Sequence, residues 1–192
     1  MDQKLFRSRF NFHQICHHIS SAPRSALTRK AAVLIAVMEK DNQLQLILTQ
    51  RPLHLRHHPG QISFPGGKVE ADDPNLIATA LREADEEIGL VDSNVDVLGA
   101  FPAHYTFTGF EVTPVVAMVK HPFELRLDSN EVADCFTAPL DYFIEKSNRH
   151  TVEFNRQGKA YTVHVMPYQD KFIWGVTAAI IDLLCRHLHV KN

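Results

Sequence analysis

Glu83, Glu86 and Glu87 are the residues whose types and spacing ask for chemistry. On a helix, positions i, i+3 and i+4 share one face, so the three carboxylates meet within one turn of ~5.4 Å. Like charges at that spacing destabilise a helix by roughly 0.2–0.5 kcal/mol per pair. The three also fall near the helix C-terminus, where the macrodipole disfavours anions. Local physics opposes the arrangement, so a cation is expected to compensate. Mg²⁺ and Mn²⁺ are the natural candidates, because hard divalent ions take oxygen ligands and combine carboxylates with water and phosphate oxygens. Arg82 stands beside the cluster and reaches Glu86 at i+4, or another carboxylate, to fix its orientation. A solvated acidic helix face carries the same letters, so the neighbouring sequence has to decide. Gly66-Gly67 stands one loop upstream of the acids, and Gly89 closes their helix.

In that context the segment resembles the Nudix hydrolase family, whose box reads G-x5-E-x7-R-E-U-x-E-E-x-G-U with U aliphatic. Gly67 opens the box and Arg82-Glu83 through Gly89-Leu90 closes it. The chain departs from the pattern in three places. The stretch between Gly67 and Arg82 is one residue longer, Asp72 or Asp73 stands where the first Glu would be, and Ala84 fills the aliphatic slot. The resemblance implies a three-layer α/β/α sandwich of the α/β class, with a mixed sheet and a catalytic helix. It implies hydrolysis of a nucleoside diphosphate linked to another group, with Mg²⁺ or Mn²⁺ as cofactor. Carried over by position, Glu83, Glu86 and Glu87 bind metal and Arg82 orients the cluster. The backbone of Gly66 and Gly67 approaches metal or phosphate closely, as glycine allows. The catalytic assignments are Glu86 as general base and Arg82 as the group that holds it, with Glu70 and Glu131 as other candidate bases.

A second signal lies just before the box. Residues 51–67 hold three Pro, three Gly, two Arg and three His, a composition that marks a loop of a compact domain as either functional or disordered. The run from Ile47 to Gly67 resembles the motif of the coenzyme A pyrophosphatase branch, L-L-T-x-R, a small residue, then x3-R-x3-G-x3-F-P-G-G. Arg51, Arg56, Gly60 and Phe64-Pro65-Gly66-Gly67 fall at its spacings, while Ile47 replaces a Leu and Pro52 the small residue. The resemblance implies coenzyme A as substrate and 3′,5′-ADP and 4′-phosphopantetheine as products. Arg51 and Arg56 suit charge-assisted, bidentate contacts to phosphates, and Gln61, Gly66 and Gly67 add neutral contacts to the substrate. Phe64 is expected in the core, and His54, His57 and His58 on the surface, since they lack metal-ligand spacing. Two alternatives stay open. One is the same chemistry on ADP-ribose, NADH, a dinucleoside polyphosphate or capped RNA, and the other is a nucleotide-binding module without turnover.

The elements that must position these groups follow from periodicity and turn chemistry. Ala31 to Glu39 is an apolar run suited to a buried strand, and the alternating Leu44–Thr49 segment is a second, joined to it by Asp41-Asn42 as a hairpin. Residues 73–89 form the acidic helix, with Asp73 as N-cap, Pro74 in the first turn, Gly89 as stop, and Ile77, Leu81, Ala84 and Ile88 as the buried stripe. Val95 to Ala103, Val112 to Val119 and Val132 to Phe136 read as strands. Pro139 opens a short helix through Phe143, Thr151–Phe154 and Tyr161–Val165 form a hairpin around Gln157-Gly158, and Gly175 to Leu188 is helical. Residues 1–28 read as an extension with a short helix over Phe10–Ile19 ended by Pro23, and residues 29–192 as a single domain.

Composition narrows the classes. In 192 residues, 20 Lys+Arg against 22 Asp+Glu leave a formal charge of -2, which argues against a sequence-blind nucleic-acid binder. Cys16, Cys135 and Cys185 are scattered and odd in number, which fits reduced core thiols and a cytoplasmic setting better than disulfides or zinc. Met1 to Ser21 has no apolar segment of a signal peptide, and the run Ala31–Met38 is too short to span a bilayer. The expected partner is a small phosphorylated molecule, with no membrane and no general nucleic-acid binding.

Overall fold

A computed structural model of the chain describes residues 1–12, 28–156 and 158–188. Its axis is β1 (Arg29–Lys40). Ala32, Leu34 and Ala36 of that strand face one apolar cluster, while Ala31, Ile35 and Val37 face another. Successive side chains of a strand point to opposite faces, so an unbroken apolar run is what a strand covered on both sides requires. β2 (Gln43–Gln50) returns antiparallel in register Val37↔Leu46 to Lys40↔Gln43. Asp41 and Asn42 turn the hairpin with φ of 52° and 60°, the left-handed pair that matches strand twist in a two-residue loop.

Beyond Val37 and Leu46 the two strands part, and a wedge enters between them. β3 (Ile62–Ser63) pairs with Thr49 and Gln50 of β2, and β4 (Gly66–Lys68) pairs with Ala31 to Val33 of β1. The wedge is driven home by Phe64, which is 2% exposed in the main core, and by Leu34 N donating to Pro65 O at 2.8 Å.

Helix α2 (Leu76–Ile88) lies over one face of the sheet, setting Ala80, Ala84 and Ile88 against the even-numbered side chains of β1. On the far side of β1 runs β7 (Phe110–Val119), parallel to it, followed by β5 (Val95–Ala100), antiparallel to β7. The short β6 (His104–Tyr105) pairs with β7, and β8 (Asp134–Pro139) pairs with the outer edge of β2. The opposite face is covered by α1 (Gln3–Phe12), α3 (Leu140–Ile144) and α4 (Gly175–Leu188). A small antiparallel sheet, β9 (His150–Arg156), β10 (Lys159–Tyr168) and β11 (Lys171–Trp174), places Met166 and Ile173 in the same core. The result is the expected α/β/α sandwich around a mixed sheet.

Several element limits differ from the sequence reading, each for a physical reason. Asn75, not Asp73, caps α2, accepting from Ala78 N at 2.9 Å, because the Asp73 carboxylate is engaged by Arg82. The buried face of α2 runs through Thr79, Ala80, Glu83, Ala84, Glu87 and Ile88. Ile77 is 37% exposed, since the small Ala80 and Ala84 are what the sheet admits. Gly89 stops the helix as expected, with φ 75°. Helix α1 starts early because Asp2 Oδ1 caps Leu5 N at 2.7 Å. It meets the expected helix only at Phe10–Phe12, and the remainder of that expectation, with Pro23, lies outside the described residues. β5 ends at Ala100, where Phe101 N turns to Pro114 O. β8 starts two residues late because Val132 is held in a turn by Asp128 O. β11 was missed, four residues running straight into α4. Gln157 in the β9–β10 turn lies outside the described residues.

Cys135 is half-buried and Cys185 buried, both unpaired, and burial pushes both thiols up to about 12. Cys16 lies outside the described residues. Among the described residues, no helix is long and apolar enough to cross a membrane.

Candidate active site

Glu83 and Glu87 project from successive turns of α2 onto its buried edge, 9% and 4% exposed. A third carboxylate arrives from a distant part of the chain. The segment before β8 docks on the C-terminal end of α2, with Arg126 N donating to Ile88 O and Asp128 N to Glu87 O. Carbonyls that a helix leaves unpaired at its end are natural acceptors for such docking. A turn closed by Asp128 O then presents Glu131. Carboxylate oxygens of Glu83, Glu87 and Glu131 all lie within 4.8 Å of one another.

The electrostatics of this group are dominated by burial and like charge. Burial, then the charges of Glu83 and Glu131, push the Glu87 carboxyl from its ordinary 4.5 up to about 8, against the opposing Gly66 N–H and Arg51 charge. Gly66 N donates to Glu87 Oε2 at 3.3 Å. Burial raises Glu83 as well, with Arg82 opposing. Converging carboxylates, two of them on a buried helix edge, are an oxygen donor set that a hard divalent cation fits.

The two glycines of the wedge are fitted to this edge of α2. A Cβ on Gly67 would stand 2.4 Å from Glu83 Cδ, and one on Gly66, at φ 155°, would stand 2.4 Å from Ala32 O. The first would move a carboxylate and the second would meet backbone.

Arg82 frames the cluster. Its Nη1 donates to Glu83 Oε1 at 3.1 Å and Glu86 Oε2 at 2.9 Å, its Nε and Nη2 to Asp73 at 3.0 and 3.1 Å, and Nη2 also to Lys68 O at 3.1 Å. The Arg82 guanidinium beside Asp73, with Glu70 N and Thr79 Oγ1 as further donors, holds that carboxyl well below the usual carboxylate range. Of the two aspartates that compete for the box's first acidic position, Asp73 is the one joined to Arg82. Glu86 stands at the rim with its side chain 59% exposed, paired to Arg82 and outside the three-carboxylate group. Glu70 Oε1 lies 3.9 Å from Arg82 Nη1.

The loop before the wedge closes at its base, with Arg51 N donating to Gln61 O at 2.9 Å and Gly60 N to Arg51 O at 3.1 Å. Arg51 and Gln61 are half-buried there, while Arg56 is exposed, as are His54, His57 and His58. The Arg51 charge is near enough to act on Glu87. The structure thus brings Arg51, Gly66, Gly67, Glu83 and Glu87 to one place and leaves Arg56 on the open loop. Sequence reasoning placed Glu131 outside the metal group, because nothing in local spacing reports a turn folded back over the helix end.

The NUDIX domain family matches residues 28–156. The chain belongs to the Nudix hydrolase family. Over 163 residues it is 40% identical to the uncharacterized Nudix hydrolase NudL of Escherichia coli (strain SMS-3-5 / SECEC), covering 85% of this chain and 84% of that one. The same figures relate it to NudL of Enterobacter sp. (strain 638). Among solved structures it is similar to the NUDIX domain of Shewanella oneidensis NrtR complexed with ADP ribose. There the TM-score is 0.54 at 16% identity, over 98% of this chain and 99% of that one. A MutT/nudix family protein from Enterococcus faecalis gives a TM-score of 0.52 at 16% identity, over 85% of this chain and 62% of that one. At such identities the likeness speaks for the Nudix fold.

Proposed function

We propose that this Nudix protein hydrolyses the pyrophosphate bond of coenzyme A, or of a coenzyme A derivative, giving 3′,5′-ADP and 4′-phosphopantetheine. The observation that carries the reading is the arginine loop hinged at the rim of the carboxylate group, with Arg51 acting on Glu87 and Arg56 exposed beyond it. Coenzyme A has a pyrophosphate and a separate ribose 3′-phosphate, so two arginines, one half-buried and acting on Glu87 and one exposed on the loop, match its two anionic centres. Arg51 and Arg56 grip these phosphates through charge-assisted, bidentate hydrogen bonds. Gln61 adds a neutral donor, and Gly66 and Gly67 let the pyrophosphate approach the backbone.

Glu83, Glu87 and Glu131 would hold Mg²⁺ or Mn²⁺, with Glu86 at the rim as a further ligand. When bound, such an ion neutralises phosphate charge and lowers the pKa of an attached water. Glu86 takes the proton from the attacking water as general base, and Arg82 keeps that carboxylate at the rim. The water oxygen forms the new P–O bond, and the other phosphate leaves with the bridging oxygen.

Incubation with coenzyme A and Mg²⁺ or Mn²⁺, with products resolved by chromatography, tests this. 3′,5′-ADP is expected from the intact protein and not from Glu83→Gln or EDTA-treated samples. Coenzyme A that survives while another nucleoside diphosphate derivative is cut would transfer the activity to that substrate and remove the specificity reading of the loop.

A further inference from the structure

The β10–β11 hairpin brings a lysine to the base of the arginine loop. Lys171 opens β11, and its ammonium donates to Gln50 Oε1 and to Asp134 Oδ2, each at 2.9 Å. The side chain is 18% exposed, and its nitrogen lies 5.3 Å from the centroid of the Phe136 ring. An ammonium has three donors and no acceptor. It therefore admits only the oxygen end of the Gln50 amide, which turns the amide nitrogen toward Gly60 O at 3.3 Å. Without a cation, the two ends of a glutamine amide are nearly equivalent in shape and the group is free to flip.

Gly60 is where the loop returns, since its N–H and the carbonyl of Gln61 make the two backbone bonds to Arg51. The relay Lys171–Gln50–Gly60 therefore pins the return limb and, through it, Arg51. Asp134 is 48% exposed, and an ion pair of that kind contributes little by itself. The amide contact is what gives the lysine consequence. The same strand end also anchors the segment after Glu131, because Ala133 N donates to Gln50 O at 2.8 Å.

We propose that Lys171 is a positioning residue that holds residues 51–61 in register with the carboxylate group, so that substrate affinity depends on a side chain from the C-terminal sheet. Its kinetic consequence rests on the pyrophosphatase reading, and its structural consequence does not.

The test uses the full chain with Lys171→Met, Lys171→Arg, Gln50→Ala and the Lys171→Met/Gln50→Ala pair. In Lys171→Met the KM for coenzyme A is expected to rise about tenfold, the loss of one hydrogen bond to a charged group, with kcat within about twofold. Lys171→Arg is expected to recover most of the loss, and the double variant to be no worse than the worse single variant. Amide hydrogen exchange without substrate or metal reads the brace directly, and Arg51, Gly60 and Gln61 are expected to exchange faster in Lys171→Met. Unchanged exchange at those amides would overturn the proposal, as would faster exchange with an unchanged KM. Faster exchange in a protein whose wild type cleaves no pyrophosphate would leave the brace standing and overturn the activity reading instead.

Discussion

Glu87 is the residue at which burial works against ionisation. Its carboxyl is raised from 4.5 to about 8, chiefly by burial. Between those values the folded chain keeps a proton that the unfolded chain has released, so stability falls as pH rises through that window. Thermal melts in EDTA should show a midpoint that declines from about pH 5 to 8 in the wild type and a flatter profile in Glu87→Gln, which keeps the shape without the charge. Added Mn²⁺ should bind more tightly as pH approaches about 8, because binding releases that proton. Equal slopes in wild type and Glu87→Gln would remove this carboxyl from the account. At this scale the sequence was most readable where the chemistry is local. Glu83, Glu87 and Arg82 declare themselves by helical spacing, and the Arg51 position by its place in a motif. Glu131 and the contact between Asp73 and Arg82 depend on how separate segments fold back, which spacing along the chain does not encode.

The wedge and the acidic helix are the two elements that make the site, and their glycines are expected to fail in different ways. Gly67 faces the flexible end of Glu83, so Gly67→Ala should shift that carboxylate, weakening Mn²⁺ binding about 10–100-fold with a small change in melting temperature. Gly66 faces the backbone at Ala32 and Val33, so Gly66→Ala should melt well below wild type whatever the metal. Calorimetry beside Mn²⁺ titration separates the two, and a Gly67→Ala protein with normal Mn²⁺ affinity would refute the assignment. The hairpin, α2 and α4 were legible because unbroken apolar runs, helical periodicity and turn residues all agree over eight or more positions. The wedge was legible only as an odd loop. Two- and three-residue strands carry no periodicity, and they exist here because β1 and β2 leave backbone unpaired as they diverge.

At the scale of the molecule, one sheet is closed by α2 on the side of the carboxylate group and by α1, α3 and α4 on the other. Phe10 fastens α1, stacking edgewise on Phe101 at 5.6 Å and on His187 at 5.1 Å between centroids, and is 4% exposed. Phe10→Ala should cost about 3–5 kcal/mol, a fall in melting temperature on the order of 10 °C, while Mn²⁺ affinity stays as in wild type. Loss of metal affinity in a variant that still melts cooperatively would show that the two faces are not independent. The sandwich was readable through the resemblance that the acidic helix carries, and the apolar run of β1, buried on both faces, agrees with it. The role of α1 was not, because its two buried aromatics, Phe6 and Phe10, sit among polar residues and the exposed Leu5 and Phe12.

The fork between β1 and β2 has a consequence for how such a protein can change. The arginine loop leaves from one prong at Gln50 and rejoins at Ile62, while Glu83 and Glu87 are held by the other prong through β4 and α2. Doubling the length of a loop adds only about 0.6 kcal/mol of closure entropy, and neither prong's register passes through it. On the proposed reading, descent can therefore rewrite what the molecule grips while leaving intact the apparatus that cuts, and novelty in substrate is separated from the inheritance of chemistry.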